Sequence, residues 1–374
     1  MKLTKIREGK AEILVPDPEE YEKEGKFDPS WAPVFYNPRM ELNRDISVLF
    51  LNIIRPRRIV DALSATGIRG IRYFKEVEGV EEVIFNDLSK EAVELIYENI
   101  KINNIKGKVF NKDANSLLYE VKADFVDIDP FGTPAPFLLA SFHSVIRGGY
   151  VAITATDLSA LVCSSKSSAR RKYDIICDRL SFSKEVGIRG LIGKAIREAA
   201  VVEKAAIPVF SFYHDYYYRV FFKVEGGAKK ADSLLSRLVY YYECPKCGYR
   251  DKSVYYQHTT CPKCGASMKA YGPAWDGEIY DKNMINKIKE GLVHFNYLST
   301  FSTISRLISI ISVEAEYKEP YYKLDFISPR LKRNVPPKDK VIKCLKEASA
   351  THFDTVGIKT SKNFEEVIEC VKVN

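Results

Sequence analysis

The sequence has 374 residues, 46% of them hydrophobic and 28% charged, which excludes fibrous, low-complexity and wholly disordered proteins. Its 57 lysines and arginines against 49 acids give a net charge of +8, which permits a polyanionic partner without proving one. No apolar run approaches the roughly 20 residues that span a bilayer, and the first residues lack the apolar core of a signal peptide. We therefore expect a cytoplasmic protein with no membrane partner, and no feature indicates an obligate protein partner.

Short apolar runs alternate with helical stretches from residue 56 onward, after an N-terminal extension that contains a predicted hairpin over residues 6–15. A helix is expected over Lys90–Asn103, where apolar residues recur at helical spacing behind a Ser89 N-cap. The predicted strands are Arg58–Ala62, Glu82–Asn86, Lys108–Phe110, Ala123–Ile128 and Gly149–Thr154. This alternation predicts a parallel, doubly wound α/β sheet.

The end of this unit predicts an antiparallel hairpin. A helix over Gly190–Lys204 is followed by an apolar run, Pro208–Tyr213, and a short turn leads directly into Tyr217–Val224. Two strands joined so tightly must be antiparallel. A parallel sheet that ends in such a hairpin is typical of class I methyltransferases, with their Rossmann-like sheet, rather than of a plain dinucleotide-binding domain.

A domain boundary is predicted at Gly226-Gly227, which divides the chain into residues 1–228 and 229–374. The second domain contains a cysteine cluster, a helical stretch around Met284–Ile311 and a predicted helix, loop and helix over residues 337–374. We expect an α+β domain with an embedded knuckle of four cysteines.

The first chemical motif follows the first predicted strand and leads into a helix. Residues 61–70 read Asp-Ala-Leu-Ser-Ala-Thr-Gly-Ile-Arg-Gly, and small residues there let a ligand approach the backbone at a helix N-terminus. The stretch fails the GxGxxG fingerprint because Ala65 replaces a glycine. It fits the looser acidic turn of a methyltransferase, with Asp61, Thr66 and Gly67 as candidates for cofactor contact. Alone, it does not identify a cofactor loop.

Two more acids follow the second and third predicted strands. Asp87 stands where an acid hydrogen-bonds a ribose diol, although an N-cap would explain it equally. Asp113, followed by Ala114, can accept from an adenine amino group or be an ordinary loop acid. Because the ends of parallel strands lie along one edge of the sheet, we expect Asp61, Asp87 and Asp113 to form one cofactor edge.

The most specific catalytic signal is Asp127-Ile128-Asp129-Pro130-Phe131-Gly132, at the end of the fourth strand. It is similar to the Asp/Asn-Pro-Pro-Tyr/Phe motif of enzymes that methylate exocyclic amines. Such an amine is a poor nucleophile, and a carboxylate that accepts its N–H orients it for a gain of typically about 10²–10⁴ in rate. Phe131 can stack on a base extruded from its helix. The alternative is an ordinary strand end with a Pro-Phe turn.

The cysteines fall into two groups. Two Cys-Pro-Lys-Cys-Gly knuckles, one with Cys244 and Cys247 and one with Cys261 and Cys264, can close a tetrahedral zinc shell. Two disulfides or an empty site are the alternatives. The other four cysteines are scattered, and we expect plain buried thiols. They are Cys163, Cys177, Cys344 and Cys370.

Taken together, these motifs resemble the tRNA (guanine-26, N2)-dimethyltransferases over essentially the full length. The stretches that carry the resemblance are Phe35–Met40, Asn43–Asp45, Asp61–Arg72, Asn86-Asp87, Asp113-Ala114, Asp129–Gly132 and the two cysteine knuckles. The resemblance implies an S-adenosylmethionine-dependent enzyme that makes N2,N2-dimethylguanosine in tRNA. It also implies a catalytic first domain and a tRNA-binding second domain.

The resemblance also implies a role for each matching cofactor residue. Arg44 and Arg69 would help to hold the methionine end of S-adenosylmethionine. Asp87 would bind the ribose hydroxyls, and Asp113-Ala114 the adenine, while Asp61 begins the cofactor loop.

At the substrate, the resemblance implies that Asp129 and the Pro130 carbonyl hold the guanine N2 amine. Phe131 and Phe35 would sandwich the base. The four knuckle cysteines match the zinc pattern of the family. The double transfer further requires room beside Asp129 for a monomethylated amine.

Three other functions compete with this interpretation. The same Asp-Pro-Phe geometry serves amino-methyltransferases that act on adenine in DNA or rRNA. A non-enzymatic RNA-binding protein with a zinc knuckle and a degenerate nucleotide fold is the second. A site for NAD at the Asp61 loop is the third, and Ala65 and the closing hairpin disfavour it.

Overall fold

The computed structural model describes residues 1–373, and its first half alternates strands with helices as the sequence pattern predicts. The elements of this half are β1 (Leu3–Glu8), β2 (Ala11–Pro16), α1 (Glu41–Ile54), β3 (Arg58–Asp61), α2 (Ile68–Glu76), β4 (Glu82–Asn86), α3 (Lys90–Ile102), β5 (Lys108–Phe110), α4 (Ala114–Glu120), β6 (Ala123–Ile128), α5 (Leu138–Ser144) and β7 (Val145–Ala155). β1 and β2 form the expected antiparallel hairpin. The Ser89 side chain caps α3 by accepting from the Ala92 amide, as predicted.

The second half contains more numerous and shorter elements. They are α6 (Leu158–Leu161), α7 (Lys166–Ser168), β8 (Ile176–Cys177), α8 (Ser183–Val201), β9 (Lys204–His214), β10 (Tyr217–Gly226), α9 (Ala228–Leu235), β11 (Leu238–Glu243), β12 (Arg250–Ser253), β13 (Lys269–Trp275), α10 (Lys282–Gly291), α11 (Phe301–Glu314), β14 (Tyr322–Lys323), α12 (Leu324–Ile327), α13 (Lys338–Leu345), β15 (Ala348–Ala350), β16 (Gly357–Thr360) and α14 (Phe364–Lys372). A turn of π-helix, Ala169–Tyr173, follows α7.

The central sheet has seven strands in the order β5-β4-β3-β6-β7-β10-β9. The first five are parallel, and β10 lies between β7 and β9, antiparallel to both. This arrangement confirms the class I methyltransferase sheet that ends in an antiparallel hairpin. The carboxyl ends of β3, β4, β5 and β6 meet at one edge, which is where the sequence motifs lie.

Two smaller sheets complete the fold. One has the order β12-β11-β13-β8, and the other the order β14-β16-β15. The sequence predicts a helix, a loop and a helix over residues 337–374. The predicted loop is wrong, because two paired strands, β15 and β16, lie between α13 and α14. Strands of three and four residues are too short to show an alternating pattern. The helical stretch around Met284–Ile311 is two helices, α10 and α11, separated by a 3-10 turn.

The expectation of four plain buried thiols outside the knuckles is wrong. Cys163 forms a disulfide with Cys177, and Cys344 forms one with Cys370. The Cα atoms of the pairs lie 6.0 Å and 5.7 Å apart, which suits a disulfide. The sequence did not reveal the pairs because the contact depends on how β8 meets the turn after α6, and how α13 packs on α14.

Residues on both sides of position 228 share one hydrophobic core. Ile285 and Ile288 of α10 belong to the same buried cluster as Leu49 of α1 and Phe210 of β9. A second, small core joins α12, α13, α14 and β16. The domain boundary at residue 228 stays a prediction. Within residues 1–373, no helix combines the length and the apolarity that crossing a membrane requires.

Candidate active site

A cleft of about 360 Å³ opens at the carboxyl edge of the central sheet. It brings together residues from the N-terminal extension, α1, the loop after β3 and the loop after β6. The predicted site residues on its walls are Phe35, Arg44, Asp61, Thr66, Arg69, Asp129, Pro130 and Phe131. Residues that are far apart in the sequence therefore share one wall, as the motifs predict.

The loop between β3 and α2 forms the floor of the cleft. Gly67 adopts a φ of 78° and donates from its amide to the Ser64 carbonyl at 2.7 Å. A Cβ at this position would lie 3.3 Å from the side chain of Ile96, so the turn favours glycine. Thr66 Oγ1 is buried and has no hydrogen-bond partner within residues 1–373. A buried hydroxyl without a partner in the wall of a cleft is suited to a polar ligand.

Asp61 is buried at the base of this loop. Its Oδ2 accepts a hydrogen bond from the Gly70 amide at 3.1 Å, which fixes the start of α2. Burial, reinforced by the nearby negative charge of Asp127, raises the pKa of Asp61 to about 7. The carboxyl group of Asp61 therefore changes its protonation state near neutral pH.

The ends of β4 and β5 are tied to the same loop. Asp87 Oδ2 accepts from the Ala65 amide at 2.8 Å, and Asn86 Nδ2 donates to the carbonyls of Ala62 and Lys112 at 3.1 Å and 3.0 Å. Asp113 caps α4 by accepting from the Ser116 amide at 3.0 Å. Gly67, Asp87, Asp113 and Ala114 stand along the sheet edge but outside the walls of the cleft itself. Asp113 is thus the N-cap of α4, a contact that was not among the alternatives predicted for it from the sequence.

The Asp-Pro-Phe motif follows β6, the strand next to β3, and lines the same cleft. Asp129 Oδ2 pairs with Arg69 Nη2, and the Phe131 side chain is 74% exposed. The ring centroids of Phe35 and Phe131 lie 5.6 Å apart at an interplanar angle of 64°. The two rings contact each other edge to face, so the predicted sandwich of a base would require them to separate. The exposed ring of Phe131 offers a face on which a planar base can stack.

A buried polar network behind Asp129 was not recognised in the sequence. Arg219 Nη1 and Nη2 donate to the two carboxylate oxygens of Asp127 at 2.7 Å and 2.8 Å, and the Tyr73 hydroxyl donates to Asp127 Oδ2 at 2.5 Å. Burial alone would raise the pKa of Asp127, but the guanidiniums of Arg219 and Arg69 lower it. The available signal was Arg219 itself, a lone charged residue in the apolar run Tyr217–Phe222.

Arg44 is fixed at another wall of the cleft by the N-terminal hairpin. Its Nε and Nη2 each donate to a carboxylate oxygen of Glu8 at 2.6 Å, and Arg72 Nη1 donates to Glu8 Oε1 at 2.9 Å. Burial alone would raise the pKa of Glu8, but Arg44 and Arg72 lower it to about 2. Glu8 is therefore ionised, and its negative charge compensates the buried positive charges of Arg44 and Arg72.

The four knuckle cysteines come together as the sequence predicts. Their Sγ atoms all lie within 4.8 Å of one another, and Gly248 and Gly265 take positive φ values of 84° and 70° in the two turns. The turn after Cys244 contacts the 3-10 turn Ser328–Leu331 that follows α12, because Arg330 Nε donates to the Pro245 carbonyl at 3.0 Å. Four converging thiols suit a closed tetrahedral metal site.

Comparison with known proteins agrees with this geometry. The family model described as "N2,N2-dimethylguanosine tRNA methyltransferase" matches residues 9–372. A tRNA (guanine(26)-N(2))-dimethyltransferase of Sulfurisphaera tokodaii is 59% identical over 374 residues, with 100% of both chains covered. The corresponding enzyme of Sulfolobus acidocaldarius is 58% identical, with 100% of this chain and 98% of that one covered.

A solved structure extends the similarity to the fold. Trm1 from Pyrococcus horikoshii, in complex with S-adenosyl-L-methionine, superposes with a TM-score of 0.89 at 35% identity. The match covers 99% of this chain and 100% of that one. A match of this extent leaves no part of the architecture unaccounted for, and the chain belongs to the N2,N2-dimethylguanosine tRNA methyltransferase family.

Proposed function

We propose that this protein is a tRNA (guanine-26, N2)-dimethyltransferase, which transfers two methyl groups in succession from S-adenosylmethionine to the exocyclic N2 amine of guanine 26. The observation that carries the proposal is the position of Asp129 in the cleft, next to the Phe35–Phe131 ring pair and in contact with Arg69 at the start of α2. A carboxylate, two stacking surfaces and a nucleoside-binding edge are the parts that methylation of a base amine requires.

The cleft suits S-adenosylmethionine by its donor set. The hydroxyl of Thr66 is available for a hydrogen bond, and Arg44 and Arg69 supply positive charge for the methionine end. Asp87, Asp113 and Ala114 follow β4 and β5, where we propose that the ribose and the adenine bind. When bound, the cofactor supplies an electrophilic methyl group on a sulfonium. The related Trm1 structure contains this molecule.

Asp129 acts on the guanine. Its carboxylate accepts an N–H of the N2 amine, orients the nitrogen lone pair toward the methyl group and takes up the proton that the nitrogen loses, for a gain of about 10²–10⁴ in rate. The Pro130 carbonyl accepts the second N–H, and the rings of Phe35 and Phe131 hold the base. After the first transfer one N–H remains. For the second transfer this N–H points to Asp129, and the first methyl group takes the position beside the Pro130 carbonyl that the second N–H had occupied.

The remaining assignments follow from this activity. tRNA is the partner, bound in part by the unit 229–374, and the cytoplasm is where we propose that the enzyme meets it. The four cysteines would hold a structural Zn²⁺, because their closed thiol set leaves no position open for substrate. Zinc then stabilises the β11–β13 region and takes no part in methyl transfer.

The decisive experiment incubates the protein with labelled S-adenosylmethionine and unmodified tRNA, digests the tRNA and identifies the labelled nucleosides. We expect N2-methylguanosine first and N2,N2-dimethylguanosine with time, both absent with Asp129→Ala and unchanged with Asp232→Ala, an exposed acid on α9. Label in another nucleoside would overturn the substrate. No label with tRNA, rRNA or DNA would favour a binding protein, and a permanent stop at the monomethyl product under excess cofactor would overturn the double transfer.

A further inference from the structure

The carboxylate proposed to hold the guanine amine already has a strong partner. Asp129 Oδ2 forms an ion pair with Arg69 Nη2, and that nitrogen also donates to Asn43 Oδ1 at 3.0 Å. The Arg69 side chain is 4% exposed, whereas 21% of the Asp129 side chain faces the cleft. A carboxylate that is neutralised by a guanidinium attracts an N–H donor less strongly than a free one. The pairing therefore opposes the role proposed for Asp129.

Arg69 is held by more than Asp129. Its Nη1 lies 3.5 Å from Asp127 Oδ2, 3.2 Å from the Tyr73 hydroxyl and 3.3 Å from Ser47 Oγ. Asp127 stays charged at this position because Arg219 donates a hydrogen bond to each of its two carboxylate oxygens. The guanidinium therefore keeps a buried counter-charge when its contact with Asp129 is lost, and it does not become an isolated buried charge.

Among the buried cations that line the cleft, Arg69 is the one whose contact a ligand can exchange. Arg44 is committed to Glu8 through two parallel hydrogen bonds, each 2.6 Å long. Arg39 is 67% exposed and pairs with Asp215 at the rim. The link between Arg69 and Asp129 is a single contact, and its Asp129 side is partly exposed to the cleft. A ligand carboxylate that enters the cleft will therefore displace Asp129 more readily than it will displace Glu8.

We propose that Asp129 and the carboxylate of S-adenosylmethionine compete for Arg69, so that cofactor binding frees Asp129 for the guanine amine. Arg69 is then a positioning residue that orders the reaction, with cofactor first and base second. This inference rests on the proposed function for the identity of the cofactor and of the amine. By linkage, a ligand that carries the carboxylate strengthens binding of the base, and the base strengthens binding of that ligand by the same factor.

The test uses two ligands that differ in the group concerned. S-adenosylhomocysteine retains the amino-acid carboxylate, and 5′-methylthioadenosine lacks the amino-acid end. Calorimetry measures the affinity of both for the wild type and for Asp129→Asn, which has nearly the same shape but no charge. Because the amide no longer competes for Arg69, we expect S-adenosylhomocysteine to bind Asp129→Asn about tenfold more tightly, the size of one charged hydrogen bond. The affinity for 5′-methylthioadenosine should stay the same.

Asp87→Asn is the matched control, because it alters the nucleoside end of the site and should weaken both ligands equally. Thermal unfolding of each variant checks that it is folded. Equal affinity of S-adenosylhomocysteine for the wild type and Asp129→Asn would overturn the competition. Weaker binding to Asp129→Asn would also overturn it, since Asp129 would then attract the ammonium group of the ligand.

A second measurement examines the linkage directly. We expect saturating S-adenosylhomocysteine to tighten binding of unmodified tRNA to the wild type by several-fold, and 5′-methylthioadenosine to leave it unchanged. In Asp129→Asn the difference between the two ligands should vanish. The calorimetric test involves no nucleic acid, so its failure is distinct from a failure of the proposed substrate, which the nucleoside analysis reports.

Discussion

The hydroxyl of Tyr173 donates a hydrogen bond to Asp157 Oδ1 at 2.5 Å and accepts one from Thr133 Oγ1 at 2.8 Å. Tyr173 thus connects the π-helical turn to the segment that follows Phe131. On the other side, the Gly132 amide donates to Thr156 Oγ1 at 3.0 Å. The loop that carries Asp129 and Phe131 is therefore held at two points beyond the reacting groups, and its position depends on both.

Tyr173→Phe should lower kcat without weakening cofactor binding. The ring remains to pack, but both hydrogen bonds are lost, and a displaced loop misplaces the reacting atoms. We expect a fall in kcat of about tenfold, equivalent to about 1.4 kcal/mol, with KM for S-adenosylmethionine unchanged. Steady-state kinetics of methyl transfer to tRNA measure both constants. Tyr119→Phe, at an exposed tyrosine on α4, is the control, and an unchanged kcat in Tyr173→Phe would contradict the positioning role.

Glu8→Gln should be among the most destabilising single changes in the N-terminal hairpin. The substitution leaves the buried guanidinium of Arg44 without its carboxylate and removes one partner of Arg72. Breaking a buried pair in this way costs about 3–5 kcal/mol. Denaturant unfolding measures the loss. Glu12→Gln, which breaks only the exposed pair with Lys5, should change nothing measurable, and equal effects of the two variants would refute the argument.

The two disulfides should contribute to stability in the oxidised protein. The bonds close loops of 14 and 26 residues, and constraint of the unfolded chain by such loops is worth about 3 kcal/mol each. Cys163→Ala with Cys177→Ala should therefore lower the free energy of unfolding by about this amount. Alkylation of protein that is denatured, metal-free and not reduced should modify four thiols per chain, those of the knuckle cysteines. Eight reactive thiols would show that the bonds do not form.

Removal of a metal from the knuckles should loosen the contact between the β11–β13 region and the 3-10 turn Ser328–Leu331. We expect one Zn²⁺ per chain by elemental analysis, lost in Cys247→Ser and retained in Lys246→Ala, whose side chain is no ligand. Because Arg330 is hydrogen-bonded to the Pro245 carbonyl, the loss should also lower the melting temperature of the whole protein. Wild-type protein that contains no zinc, together with an unchanged melting temperature in Cys247→Ser, would contradict the assignment.

The stability of the ligand-free protein should fall with rising pH because of Asp61. Its pKa in the folded protein is about 7, raised from 3.8, so the folded state binds this proton more tightly than the unfolded chain. The favourable contribution is complete below about pH 4, declines between pH 4 and 7, and is lost above pH 7. Unfolding of Asp61→Asn between pH 4 and 8 should lack this decline. Parallel curves for the wild type and the variant would contradict the raised pKa.

Local patterns in the sequence were sufficient for the strands of the central sheet and for the motifs that line the cleft. The alternation of strands and helices from Arg58 to Ala155, and the two strands joined at Asp215, predict the sheet and its closing hairpin because short apolar runs alternate with helix-spaced apolar residues in the chain. Parallel strands place their carboxyl ends together, so the acids at the ends of β3, β4 and β5 could be assigned to one edge before any coordinates. The cysteine knuckles are similarly local, since each pair lies within one turn.

Contacts between distant segments were decided by the tertiary structure alone. Three such contacts join side chains on different elements. They are the ion pair of Arg69 with Asp129, the ion pair of Arg219 with Asp127, and the disulfide between Cys163 and Cys177. Sequence periodicity shows which face of an element is buried, but not which residue of another element it meets, because that depends on register, crossing angle and rotamer. The sequence thus determined that a carboxylate would stand at the end of β6, whereas its pairing with Arg69 follows only from how α2 and the loop after β6 meet in the folded chain.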